Sequence, residues 1–95
     1  MSDVEFVFYE TNDPRRERRN TVANQLGPKQ TATLKPEVAG APVRVIRFHF
    51  EWQRSGFKVS SSSRVADAGY YYESVKASIE PDDSVESYNY VQKRI

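Results

Sequence analysis

Few residues in this chain have the types and spacing for chemistry. His49 is the only histidine and there is no cysteine. That excludes thiol nucleophiles, disulfides and zinc sites built on Cys or paired His, and leaves any metal site to carboxylates alone. His49 could join Ser62 and one of the acids in a Ser-His-Asp arrangement. Nothing in the sequence points to the strained turn and oxyanion hole that such a nucleophile needs. The alternation of Phe48, Phe50 and Trp52 with Arg47, His49 and Glu51 puts the imidazole on the polar face of a strand, toward solvent or a neighbouring serine. Glu80, Asp82, Asp83 and Glu86 have the types for a cation site or an acid–base pair, but the same residues read as a solvated turn. Glycines at 27, 40, 56 and 69 are too scattered for a phosphate loop. No catalytic residue, metal site or cofactor is assigned, and the chain is read as a non-enzyme.

Charge gives a second kind of candidate. The net charge is only +1, yet its distribution is uneven. Residues 1–13 carry four acids and no base, residues 14–64 eleven bases and three acids, and residues 65–95 three bases and six acids. A basic middle between acidic ends can attract a polyanion, the ends of a second copy, or its own chain. Its sharpest cluster is Arg15, Arg16, Arg18 and Arg19 with Lys29, and guanidinium forks suit phosphate or carboxylate. Against nucleic-acid stacking, the best aromatic strand sets Phe48, Phe50 and Trp52 opposite Arg47, which marks them as core. Tyr70, Tyr72, Tyr88 and Tyr90 remain as candidate contact residues, although alternation buries about half of the tyrosines in those runs.

Elements must position these groups. Residues 3–10 alternate Val4, Phe6 and Phe8 with Glu5, Val7 and Tyr9 and predict a strand. Asn12-Asp13-Pro14 and Leu26-Gly27-Pro28 bracket a helix over about 14–26, but Asn20, Thr21, Val22 and Asn24 are poor helix formers, so a basic loop competes. Thr31 to Lys35 suits a short strand, and 38–42 a linker or edge loop. The run from 47 to 53 is the clearest strand and should be central; upstream, Val43 and Val45 are out of phase with Ile46 and Phe48, which implies two covered faces or a bulge. Ser55-Gly56 predicts a two-residue hairpin turn that sets Trp52 opposite Val59 and Gln53 opposite Lys58. The same register would set Phe48 opposite Ser63, in a serine run with little to bury. A strand follows Gly69, with Tyr71, Glu73, Val75, Ala77 and Ile79 on one face. After a turn at Pro81-Asp82, residues 85–92 return as a strand; a helix competes, since Asp83 and Glu86 resemble a capping box and Lys93 and Arg94 suit a helix C-terminus.

Ninety-five residues at 38% hydrophobic and 13% aromatic predict one domain over 1–95 with a thin core, which favours oligomerisation. The expected fold is mainly β: an antiparallel sheet of five or six strands as a small sandwich or partly open barrel, with one short helix or basic arm after the first strand. An α+β fold with a C-terminal helix is the alternative. No apolar stretch reaches the roughly 20 residues of a membrane span, and Met1-Ser2-Asp3 does not begin a signal peptide, so the default location is cytoplasmic. The expected function is protein binding or self-assembly through the arginine segment and the tyrosine strands, with a homo-oligomer or another protein as partner. Single-stranded RNA or DNA binding is the alternative.

Overall fold

The computed structural model describes residues 2–11, 13, 15–23, 30–79 and 85–95. Every regular element among them is a strand, and all pairing is antiparallel. No helix among the described residues is long and apolar enough to cross a membrane.

The first sheet is built on β1 (Ser2–Tyr9), flanked by β2 (Glu17–Ala23) and β6 (Arg47–Arg54); β7 (Phe57–Ser60) and β8 (Arg64–Val65) complete it on the far side of β6. As the alternation requires, β6 is interior, and Val4, Phe6, Phe8, Phe48 and Phe50 are fully buried with Trp52 beside them. The second sheet has the order β10-β9-β3, from β10 (Val85–Arg94), β9 (Tyr70–Ile79) and β3 (Thr31–Leu34). Tyr72, Val75 and Ala77 are its buried contribution, and Leu34 and Tyr90 pack against the same cluster. Phe48 holds the two sheets together: its ring lies 5.1 Å from Phe6, 5.0 Å edge-on from Tyr72 and 5.8 Å from Tyr90.

Two expectations are corrected. The proposed helix over 14–26 is β2 from Glu17 onward, preceded by a turn in which the Asp13 carboxylate and carbonyl accept from the Arg15 and Arg16 amides. Asp13 makes the capping bond, but the open edge of β1 offers β-branched Thr21 and Val22 a ladder that a lone helix with so small an apolar stripe cannot match. Likewise the alternative C-terminal helix is β10, paired with β9 along its length. Residues 12, 14, 24–29 and 80–84 lie outside the described set, and with them the predicted turn at Pro81-Asp82.

The phase slip before β6 also has a physical cause. Val45 accepts a hydrogen bond from the Tyr72 amide of the second sheet at 2.8 Å, and Ile46 donates to the Tyr9 carbonyl of the first at 2.8 Å. Consecutive residues thus serve different sheets, so neither side-chain phase continues through them. At the other end of β6, Ser55 (φ 50°) and Gly56 (φ 80°) close the predicted hairpin, with Trp52 opposite Val59 and Gln53 opposite Lys58. The register then slips by one residue. Ser61 receives the Phe50 amide on its hydroxyl at 2.8 Å and returns its own amide to the Phe50 carbonyl, after which Phe48 faces Arg64 instead of Ser63. A second two-residue turn, Ala39 (φ 51°) and Gly40 (φ 82°), joins β4 (Glu37–Val38) to β5 (Ala41–Pro42), a small hairpin where a linker was expected.

Candidate functional site

The four arginines do not form one free basic patch. Arg15 is tied to Asp13 by a hydrogen bond at 3.1 Å, which together with the Arg15 amide lowers the Asp13 pKa. Arg18 approaches Glu10 at 4.0 Å, at the outer limit of an ion pair. Arg19 is enclosed by carboxylates, reaching Glu5 at 2.7 Å, Glu17 at 2.7 Å and Glu51 at 2.5 Å. This follows from register: Glu5 faces Thr21 and Glu51 across the β2-β1-β6 ladder, so Arg19 on the same face lies one diagonal step away. Only Arg16 has no acidic partner among the described residues. Lys29 lies outside them.

Around Arg19 a polar network covers the outer face of the first sheet. Glu51, 12% exposed, also takes Lys58 at 3.0 Å and His49 Nε2 at 3.1 Å. Burial pushes the Glu51 carboxyl up, but the hydrogen bonds from Arg19, His49 and Lys58 outweigh it and hold the pKa at about 2. Hydrogen bonds to Glu51, Glu5 and Glu17 raise the Arg19 pKa further. Tyr9 closes the network by donating to Glu17 at 3.3 Å, with its pKa raised by burial and by that carboxylate. His49 therefore meets Glu51, where solvent or a neighbouring serine was expected. No group of three or more His, Asp or Glu placed to hold a metal ion occurs among the described residues. Chemically the arrangement is a stabilising ion cluster. Composition could not reveal it, because its members are far apart in sequence; only the register unites them.

The tyrosines are placed just as specifically. Tyr72, expected at a binding surface, is 3% exposed and belongs to the core; its pKa is raised by burial. The reversal has a cause: β9 carries an extra residue near Glu73, between the pairs Ser74–Val91 and Tyr72–Gln92, so Tyr72 and Val75 both turn inward. Every other tyrosine whose side chain is described has a guanidinium on its ring: Arg94 on Tyr70 at 5.8 Å, Arg44 on Tyr71 at 5.1 Å, Arg47 on Tyr9 at 5.5 Å and Arg64 on Tyr90 at 5.2 Å. Tyr88 is a backbone member of β10, and its side chain is outside the described set.

The sheet edges complete the inventory. The edge of β2 is sealed at Asn20, whose amide donates to the Glu37 carbonyl at 3.1 Å and accepts from the Glu37 amide at 3.2 Å, as a paired strand residue would. β7 and β3 span four residues each. β10 spans ten, and the only strand paired with it among the described residues is β9; its Gln92 side chain accepts from the Asp67 amide at 3.0 Å and Lys93 reaches Glu73 at 3.5 Å. Its last turns are exposed and mixed in character: Val91 is 46% and Ile95 61% exposed, with Lys93 and Arg94 between them. Beside this end lies an open groove of about 660 Å3 lined by Lys35, Pro42, Arg44, Tyr71, Glu73 and Lys93. The sequence reading included Tyr88 and Tyr90 from this strand but missed its outer edge, because strand order is not encoded locally. Comparison with known proteins finds no matching family, no matching curated protein and no matching solved structure.

Proposed function

We propose that this protein is a non-enzymatic protein-binding module that takes an extended partner strand along the outer edge of β10. One observation carries the reading: among the strands at the edges of the two larger sheets, β10 is the longest at ten residues, and no strand other than β9 pairs with it among the described residues. Ten strand residues offer about 30 Å of edge, enough for an alternating set of main-chain donors and acceptors to hold a partner strand. Soluble proteins usually blunt such an edge, as β2 does here through Asn20. The groove beside Lys93, where Lys93 and Glu73 form an ion pair, would take that partner's side chains.

Single-stranded nucleic acid is less well supported by the same residues. A base must displace a guanidinium from Tyr9, Tyr70, Tyr71 or Tyr90 before it can stack, and Arg19 is already neutralised by three carboxylates. Amide hydrogen exchange tests the two together. An extended peptide of alternating Val and Thr flanked by Asp, added in excess to dilute protein, should slow exchange at Tyr90–Arg94 and leave β7 unchanged. No slowing in β10 overturns the reading, and slowing at Arg15–Arg19 by oligothymidylate alone would put nucleic acid in its place.

A further inference from the structure

We propose that the groove on the outer face of the second sheet is a binding site for a small organic acid, a single carboxylate carried on an apolar body. The site does not depend on the strand edge, because its ligand meets side chains and needs no free main chain. Tyr71 and Lys93 are ladder partners on the face opposite buried Tyr72, and they form the floor together with Glu73, the residue that the ladder between β9 and β10 skips. The wall is the chain on either side of the β4–β5 hairpin. Hydrogen bonds fix its shape before any ligand arrives: Val43 donates to the Pro36 carbonyl at 3.2 Å, Asn20 holds both main-chain groups of Glu37, and the Val45 carbonyl accepts from Tyr72 at 2.8 Å. A preformed concavity of about 660 Å3 falls within the roughly 300 to 1,000 Å3 of small-molecule sites and costs little to order on binding.

The charges on the lining select the ligand. Lys35, Arg44 and Lys93 stand against Glu37 and Glu73, an excess of one positive charge. Lys93 and Glu73 are occupied with each other at 3.5 Å. Lys35 and Arg44 make no ion pair among the described residues, unlike the cations gathered around Glu51. Arg44 rests on the Tyr71 ring at 5.1 Å and its guanidinium forms no hydrogen bond among the described residues, so a fork already held in place keeps its donors for the two oxygens of a carboxylate. A single excess charge suits that group, whereas a dianionic phosphate would be left uncompensated beside Glu37. Buried Pro36, with half-buried Val43 and Tyr71, supplies contact for the apolar body.

Titration of the full chain with naphthoate, followed by backbone amide chemical shifts, tests the site, with naphthamide as the uncharged analogue and inorganic phosphate as competitor. Naphthoate should shift the amides of Lys35, Glu37, Val43, Arg44 and Tyr71 and saturate, and naphthamide should bind about tenfold more weakly or worse. Lys35→Gln and Arg44→Gln should each weaken naphthoate by about three- to tenfold; both side chains are exposed, so the fold survives their loss. Glu37→Gln should tighten binding, since it removes a like charge and leaves the main-chain bonds to Asn20 in place. Shifts confined to other residues, or affinity indifferent to both Lys35→Gln and Arg44→Gln, overturn the proposal, as does naphthamide binding as tightly as naphthoate. Failure to saturate at millimolar naphthoate removes the site itself. Displacement by an equal concentration of phosphate overturns the carboxylate assignment, because the groove would then take any anion.

Discussion

The outer face of the first sheet and the outer edge of the second are both rich in charge, yet they differ in what the main chain beside those charges is paired with. Around Arg19 every strong charge has a partner within the chain: three carboxylates share one guanidinium, Lys58 and His49 complete Glu51, and Asn20 imitates a strand residue to close the neighbouring edge. Along β10 the charged side chains are partnered too, Lys93 with Glu73 at 3.5 Å and Arg94 over the Tyr70 ring, but no strand other than β9 lies beside its main chain among the described residues, and Val91 and Ile95 are exposed. The contrast teaches that a cluster of arginines in sequence is a poor guide to an interface. What marks a surface for a partner is the bonding capacity left over after the chain has satisfied itself.

The severest way to break the contrast is to remove the floor common to both regions. Phe48 touches Phe6 under the polar face and Tyr72 and Tyr90 under β10, so Phe48→Ala should lower unfolding free energy by about 3 to 5 kcal/mol in urea titration. A loss under about 1 kcal/mol would show that the two sheets do not share one core. Next is the network itself. The Glu51 pKa is depressed on folding, so its contribution is complete above about pH 4.5 and drains away as pH falls toward about 2. Glu51→Gln should therefore cost about 2 kcal/mol near neutrality and flatten the loss of stability below about pH 4.5. If variant and parent lose stability in parallel over that range, the acid sensitivity belongs to other carboxylates. The mildest change opens the sealed edge: Asn20→Ala removes two bonds to Glu37 at about 1 kcal/mol and should give β2 faster amide exchange and a new tendency to associate. A variant whose β2 amides exchange as slowly as before would mean that Asn20 is not the seal.

How much of this was legible depended on distance along the chain. The strands at 3–10, 47–53, 70–79 and 85–92 were readable because period-2 alternation is local, and the Ser55-Gly56 hairpin because both its turn and its first pairs lie within a few residues. β2 falls where the sequence suggests a helix or a basic loop, because the bracketing Asn-Asp-Pro and Gly-Pro signals are local while the β1 edge that recruits it is not. Tyr72 was assigned to a surface because one extra residue near Glu73 inverts the phase, and no single side chain announces a bulge. The same reason hid the carboxylate cage: Glu5, Glu17, Arg19 and Glu51 meet only once three strands are in register. Of the residues assigned to binding, the structure leaves Arg16 unpaired among the described residues, ties Arg15, Arg18 and Arg19 to acids, and buries Tyr72. Tyr70 and Tyr90 are half-buried beneath arginines.

The peptide unit between Val45 and Ile46 has a consequence for how the molecule comes apart. With its carbonyl side held by Tyr72 and its amide side by Tyr9, that unit belongs to two sheets, and its two partners are some sixty positions apart in sequence. Neither sheet can open alone without breaking a bond that anchors the other, so subglobal opening is suppressed and both should exchange their most protected amides at a common rate.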